Sequence, residues 1–217
     1  MDERAQGIVL RVHPLTETSL IIRWLTRDLG RIATVAKGAR RPKSPFRGKL
    51  DLFYLADLTF HRSRRSELHT LREVSLREPH NFLRKDLGYL QQASYCAALV
   101  EQVTEIETPI PVVFDLMESL LHVLVMQSPA PHTILAFELK LLGELGLKPD
   151  LAKSHLTPGA KEIVKDLSVS DWGAILRLRL SPAQVTELRQ FLHGFLIYHL
   201  GKIQGSRAAA LALSPND

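Results

Sequence analysis

The chain has 217 residues and is short of the residue types that metal, redox and covalent chemistry use. It contains one cysteine, Cys96, which excludes an internal disulfide and a multi-cysteine zinc site. No apolar run approaches the roughly 18–20 residues that span a bilayer. The opening MDERAQG begins with acids and lacks the apolar core of a signal peptide. A reducing cytoplasm is the setting these absences imply. Catalytic signatures are missing too: there is no G-x-x-x-x-G-K-[ST], no H-E-x-x-H and no G-x-S-x-G. The nine histidines are scattered, and His193 and His199 stand six apart, off the i, i+4 spacing of a helical metal pair. Cys96 lies among Ala93, Ala97 and Ala98 in an apolar helical pattern and reads as an inert core residue. The acid pairs Glu101/Glu105 and Glu105/Glu107 read as a solvated helix end. The expectation is a chain that is not an enzyme and holds no metal or cofactor.

What the chain does have is positive charge, unevenly spread. Residues 1–80 carry 16 Lys/Arg against 9 Asp/Glu, a net of +7, while residues 81–217 carry 12 against 14, a net of −2. A basic module joined to a near-neutral one predicts that the first meets a polyanion, nucleic acid before anionic membrane. The charge peaks in KGARRPKSPFRGKL (37–50): from Arg31 to Leu50 there are seven basic residues and no acid. Clustered cations bind phosphate by releasing condensed counterions. Gly38 and Gly48 allow close backbone approach, and Pro42 and Pro45 restrict the loop. Lys37, Arg40, Arg41, Lys43, Arg47 and Lys49 are the candidate phosphate ligands. Phe46 is the candidate stacking platform, an element that single-strand binders use. HRSRR (61–65) is expected to cap a hairpin and extend the patch.

The first 78 residues read as five short strands: GIVLRVH (7–13), SLIIRWLT (19–26), RIATVAK (31–37), DLFYLADLTFH (51–61) and ELHTLREVSL (67–76). In the second, Leu20, Ile22 and Trp24 alternate against Ile21, Arg23 and Leu25. Strand count alone fits a closed barrel of the oligonucleotide-binding (OB) type or a sandwich. In the fourth, Phe53 and Phe60 have opposite parity, so burying both requires a bulge, and Tyr54 is free to face outward. After Pro79 the period changes to that of helices, over 81–106, 112–127 and 132–146, with weaker helices at 160–166 and 171–180. Ser181, Pro182 and Gln184 form a capping-box start for a last helix to about Gln204. Its apolar residues exceed one face, which predicts extensive burial. Lys202 and Arg207 near its end are read either as dipole-favoured cations or as contacts for an acidic partner. The order is strands, then helices: an α+β chain with a β-barrel domain (1–78) and an all-α domain (79–217).

Four stretches also carry a resemblance: GIVLRVHPLTETSLIIRWLTRDLGRIATVAKGARRPKSPFRGKL (7–50), RSELHTLRE (65–73), AFELKLLGELGLKPDL (136–151) and FLHGFLIYHLGKIQGSR (191–207). Together, and in this order, they resemble the RecO family of bacterial recombination mediators; GARRPKSPFRG looks like that family's signature loop. The resemblance implies an N-terminal OB-fold and a helical domain. It implies binding of single- and double-stranded DNA, annealing of complementary strands and loading of RecA in the RecF pathway. It also implies two partners, RecR and the acidic C-terminal tail of single-stranded DNA-binding protein, and a nucleoid-associated place in the cytoplasm. Lys37, Arg40, Arg41, Lys43 and Arg47 match the basic loop that the family turns toward DNA. Arg84 and Lys140 are candidates for gripping the tail. Many members carry a four-cysteine zinc module after P-D-L. Here PDLAKSHLTPGAKEIV (149–164) has no cysteine, so 147–170 is expected to be a shortened remnant without zinc. The competing function is an RNA- or protein-binding adaptor acting mainly through the helical domain.

Overall fold

The structure, a computed structural model, describes residues 2–212; the last five residues of the expected helical domain lie outside them. Five strands form a closed barrel: β1 (Asp2–Pro14), β2 (Leu20–Thr26), β3 (Gly30–Ala36), β4 (Leu55–His61) and β5 (Leu68–Glu78), in the order β1-β2-β3-β5-β4. This is the OB-type arrangement rather than a sandwich. The long strand β1 serves two partners, Gly7–Pro14 pairing with β2 and Asp2–Ile8 with β4. The inward side chains follow the period-2 pattern: Ile22 and Trp24 from β2, Ile32 and Ala36 from β3, and Ala56, Leu58 and Phe60 from β4 share one core cluster. Trp24 is fully buried, and its indole Nε1 donates to Thr34 Oγ1 at 2.9 Å, so the ring brings no unpaired donor into the core.

The bulge expected from the parity of Phe53 and Phe60 takes another form. β4 begins at Leu55, and Phe53 precedes it with φ +65°, a left-handed conformation that leaves the strand's own alternation intact while Phe53 is buried. Phe53 N donates to Val9 O at 2.8 Å and Val9 N to Tyr54 O at 3.0 Å, which offsets the cost of that backbone. Tyr54 is half-buried against the core cluster. The barrel closes by the parallel β3–β5 seam, which covers only Ala33–Val35 against Leu68–Thr70.

Among the described residues a 3₁₀ turn (Asn81–Arg84) precedes seven helices: α1 (Leu87–Val103), α2 (Pro111–Val123), α3 (Pro131–Glu144), α4 (Pro158–Val169), α5 (Trp172–Arg177), α6 (Pro182–Leu200) and α7 (Arg207–Ala210). The chain divides into two compact units. One holds the residues up to Asn81 together with Val100–Glu118; the other holds Phe82–Leu99 and the chain from Ser119 on. Within the barrel unit, the segment after α1 docks on β3 through Glu107 N to Arg31 O at 2.9 Å. Gly30 makes that approach possible: a Cβ there would lie 2.2 Å from Thr108 O, and its φ is +69°.

In the helical unit, α3 is buried along nearly its whole length and α4 and α6 pack against it. The weak helical signal at 160–166 belongs to a full helix, α4, capped by Thr157 and burying Ala160, Val164 and Leu167. α6 has the expected capping box, with Ser181 Oγ accepting from Gln184 N and Gln184 Oε1 from Ser181 N. Its expected extensive burial is not found. Only Leu188, Leu192 and Leu196 are buried, one i, i+4 stripe, and Tyr198 is 84% exposed. Among the described residues, no helix is long and apolar enough to cross a membrane.

Candidate nucleic-acid interface

The connection from β3 to β4 is a chain of tight turns rather than an open loop. Arg41 N donates to Gly38 O at 3.0 Å, Ser44 N to Arg41 O at 3.0 Å, Arg47 N to Ser44 O at 3.2 Å and Lys49 N to Phe46 O at 3.0 Å. Its start is tied to the β1–β2 turn by Arg40 N to Thr18 O at 3.0 Å. Its middle is tied by Phe46, which is 6% exposed and belongs to the barrel core. The expected stacking role of Phe46 is therefore corrected: the ring lies inside the barrel and offers no face to a base. It acts as a plug that fixes the loop.

The six loop cations stand around this plug. Lys37, Arg40, Arg41, Lys43 and Arg47 are exposed and Lys49 is half-buried. None forms an ion pair among the described residues. Two of them donate to backbone carbonyls of the turns, Arg40 Nη1 to Thr16 O and Arg47 Nη1 to Pro42 O, both at 3.3 Å. Elsewhere on the barrel unit several cations are matched: Arg27 by Asp115, Arg62 by Glu3 and Glu107, and Arg77 by Asp57. The loop concentrates unmatched charge.

Between Pro45–Lys49 and the strands runs a groove of about 610 Å³, lined also by Arg4 of β1, Asp57 and Thr59 of β4, and Arg72, Glu73 and Ser75 of β5. Arg4 and Arg72 add cations that the sequence reading missed. Each stands in a strand with no basic residue beside it in sequence, and only the barrel's closure brings them to the loop. HRSRR divides: Arg62 is held by Glu3, whose hydrogen bonds raise the guanidinium's pKa, whereas Arg64 and Arg65 are exposed.

The acid pairs are not a solvated helix end. Glu101 Oε2 accepts from Arg11 Nε at 2.6 Å, and Glu107 Oε1 lies 2.7 Å from His69 Nε2 and 2.8 Å from Arg62 Nη1. Two of the three acids hold the helical segment to the barrel.

In the helical unit the tail-gripping candidates separate. Lys140 Nζ donates to Ser170 O at 2.7 Å, closing the end of α4, and lies 5.8 Å from the Trp172 ring. Burial lowers its pKa, against the opposing charges of Asp171 and Glu144. It is a structural cation, committed to its own chain. Arg84 is exposed at the end of the 3₁₀ turn. Arg207 is buried and has neither role expected for it: Nε and Nη2 bind both oxygens of the buried Glu138, at 2.7 and 2.9 Å, and Tyr95 OH donates to Glu138 Oε1. Burial works to lower the Arg207 pKa, but the Glu138 hydrogen bonds and charge outweigh it and raise it. Cys96 is fully buried, and burial, then the charge of Glu138, pushes its thiol well above the usual value, away from thiolate chemistry. Among the described residues, no three His, Cys, Asp or Glu side chains converge to hold a metal.

A five-stranded OB-type barrel whose β3–β4 loop is basic, followed by a bundle of helices, defines the class. Residues 1–80 match the family model described as recombination protein O N terminal, and residues 84–157 match the one described as recombination protein O C terminal. A protein of Rhodopirellula baltica named DNA repair protein RecO is 36% identical over 143 residues, 66% of this chain and 53% of that protein. The chain thus aligns with about half the length of that relative. The Bacillus pumilus protein of the same name is 31% identical over 209 residues, 92% of this chain and 80% of that one; one from Anaeromyxobacter sp. is 28% identical over 236 residues, 93% and 92%. The chain belongs to the RecO family of DNA repair proteins.

Proposed function

We propose that the chain is a non-enzymatic recombination mediator that binds single- and double-stranded DNA through the β3–β4 loop, anneals complementary strands and assists RecA loading. The observation that carries this is the loop itself: six cations without carboxylate partners, on a segment fixed by consecutive turns and a buried phenylalanine. Annealing needs no covalent step. Two strands repel through their phosphates, and a fixed cationic surface that holds both lowers the repulsion while bases pair. Arg4, Lys49 and Arg72 extend the surface along the groove. RecR is the expected partner in this work.

The acidic tail of single-stranded DNA-binding protein requires an apolar groove with cations at its edge. Lys140 is committed to Ser170, so the favoured place is the groove of about 510 Å³ lined by Pro129, Pro131, Leu178, Leu180 and Val185 beside Arg179 and His132.

The test is fluorescence anisotropy with labelled single-stranded DNA across a salt series. Affinity falls steeply with salt. Arg40→Ala with Arg41→Ala weakens binding and reduces the log–log slope by about 1.4, the counterion release of two phosphate contacts on a single strand. A double variant that binds and anneals like the wild type sinks the reading and favours the adaptor.

A further inference from the structure

The loop is not the only place where arginines gather. Arg11 on β1 and Arg23 on β2 are direct cross-strand partners, and Arg31 lies diagonally from Arg23 across the β2–β3 pairing, where Leu25 is its partner. Like charges directly opposite each other in a sheet destabilise it. One carboxylate offsets three guanidiniums: Glu101 Oε2 accepts from Arg11 Nε at 2.6 Å, while Oε1 stands 3.8 Å from Arg23 Nη1, outside hydrogen-bond reach. Oε1 is buried and has no hydrogen-bond partner. Arg31 is committed elsewhere: Nε donates to Thr104 Oγ1 at 2.8 Å and Nη2 to Thr104 O, and burial, chiefly, lowers its pKa.

Glu101 also sits badly for its helix. It lies in the last turn of α1, where no basic residue offsets it, and the helix dipole disfavours an anion there. The arginines hold it in place. Beside them opens a recess of about 280 Å³ lined by Ile21, Ala33, Leu68 and Ile106, with the exposed Glu67 as a second acid on its wall. The β2–β3 face is the one with which OB-folds bind oligonucleotides.

We propose that Arg11 and Arg23 form a second contact for single-stranded nucleic acid, taking one backbone phosphate with its base in the recess, and that Glu101 is a built-in competitor for that phosphate. The carboxylate occupies the arginines while the face is empty and yields to a strand whose charge and oxygen count exceed its own. The proposal extends the DNA-binding reading but does not depend on the loop. It supplies a second track, which pairing two strands requires.

Glu101→Gln keeps the shape and removes the charge. In anisotropy titrations with a labelled oligothymidylate, this variant binds about three- to tenfold more tightly, with a log–log salt slope steeper by roughly 0.7. Adding Arg23→Ala abolishes the gain. The gain persists in the Arg40→Ala, Arg41→Ala background, so failure of the loop reading and failure of this one are separate outcomes. A folded Glu101→Gln protein with unchanged affinity and slope overturns the proposal. If circular dichroism shows that this variant does not fold, Arg23→Ala in the wild type decides. Its side chain is 54% exposed, and it should bind about two- to threefold more weakly with a slope shallower by about 0.7; no change overturns the proposal.

Discussion

At the scale of the residue, Phe46 decides how the loop can work. Burying a phenylalanine contributes about 1.5–3 kcal/mol, and here that stabilisation fixes a segment carrying five exposed cations. Phe46→Ala should lower stability by about 3–5 kcal/mol in urea unfolding, and Phe46→Leu by much less. Both should retain the salt slope of DNA binding as long as the protein is folded, because the cations remain. A large affinity loss at unchanged slope in folded Phe46→Ala with normal stability would restore the stacking role and remove the plug. The sequence showed an aromatic among cations, and either role fits that pattern. Residues with a distant partner were the least legible: Glu101 meets Arg11 across 90 positions, and Glu138 meets Arg207 across 69. Nothing in a window of neighbours separates such an acid from a solvated one.

At the scale of the element, period carried the reading. The five strands were legible from alternation and β-forming composition, because a barrel wall buries one face, but β1 begins at Asp2, ahead of the reading at Gly7, and β4 at Leu55, behind the reading at Asp51. α6 misled because composition counts apolar residues without saying which face has a neighbour. Its start was legible, since Ser181 and Gln184 cap locally. The link among α1, α3 and α7 was not. Tyr95, Glu138 and Arg207 come from these three helices and close on one another with little water access. Arg207→Met removes the counter-charge of a buried carboxylate and should cost about 3–5 kcal/mol. Adding Glu138→Leu should recover much of that loss, since an apolar pair of similar volume is often neutral. Chemical denaturation of both variants checks this: a single variant as stable as the wild type means that the pair does not hold α7.

At the scale of the whole molecule, the split between a basic barrel module and a near-neutral helical one separates two responses to pH. His132 lies at the start of α3, 8% exposed, and Gln127 Nε2 stands 3.0 Å from its Nε2. An amide nitrogen only donates, so that ring nitrogen accepts and the imidazole is neutral with its proton on Nδ1. Burial first, and the charge of Arg179 second, hold its pKa below the ordinary 6.5. The folded state thus binds fewer protons than the unfolded state between the lowered value and 6.5. The stability contributed by neutral His132 is fully present above that range and is lost as pH falls through it. The loop from Lys37 to Leu50 has no histidine, and arginine and lysine side chains ordinarily titrate far above this range. Acidification from about pH 7.5 to about pH 5.5 should therefore lower the thermal midpoint before it changes phosphate binding by the loop. His132→Gln should flatten the midpoint's dependence on pH over that interval while leaving the salt slope of DNA binding unchanged. Parallel profiles for wild type and His132→Gln would show that His132 is not the group that titrates.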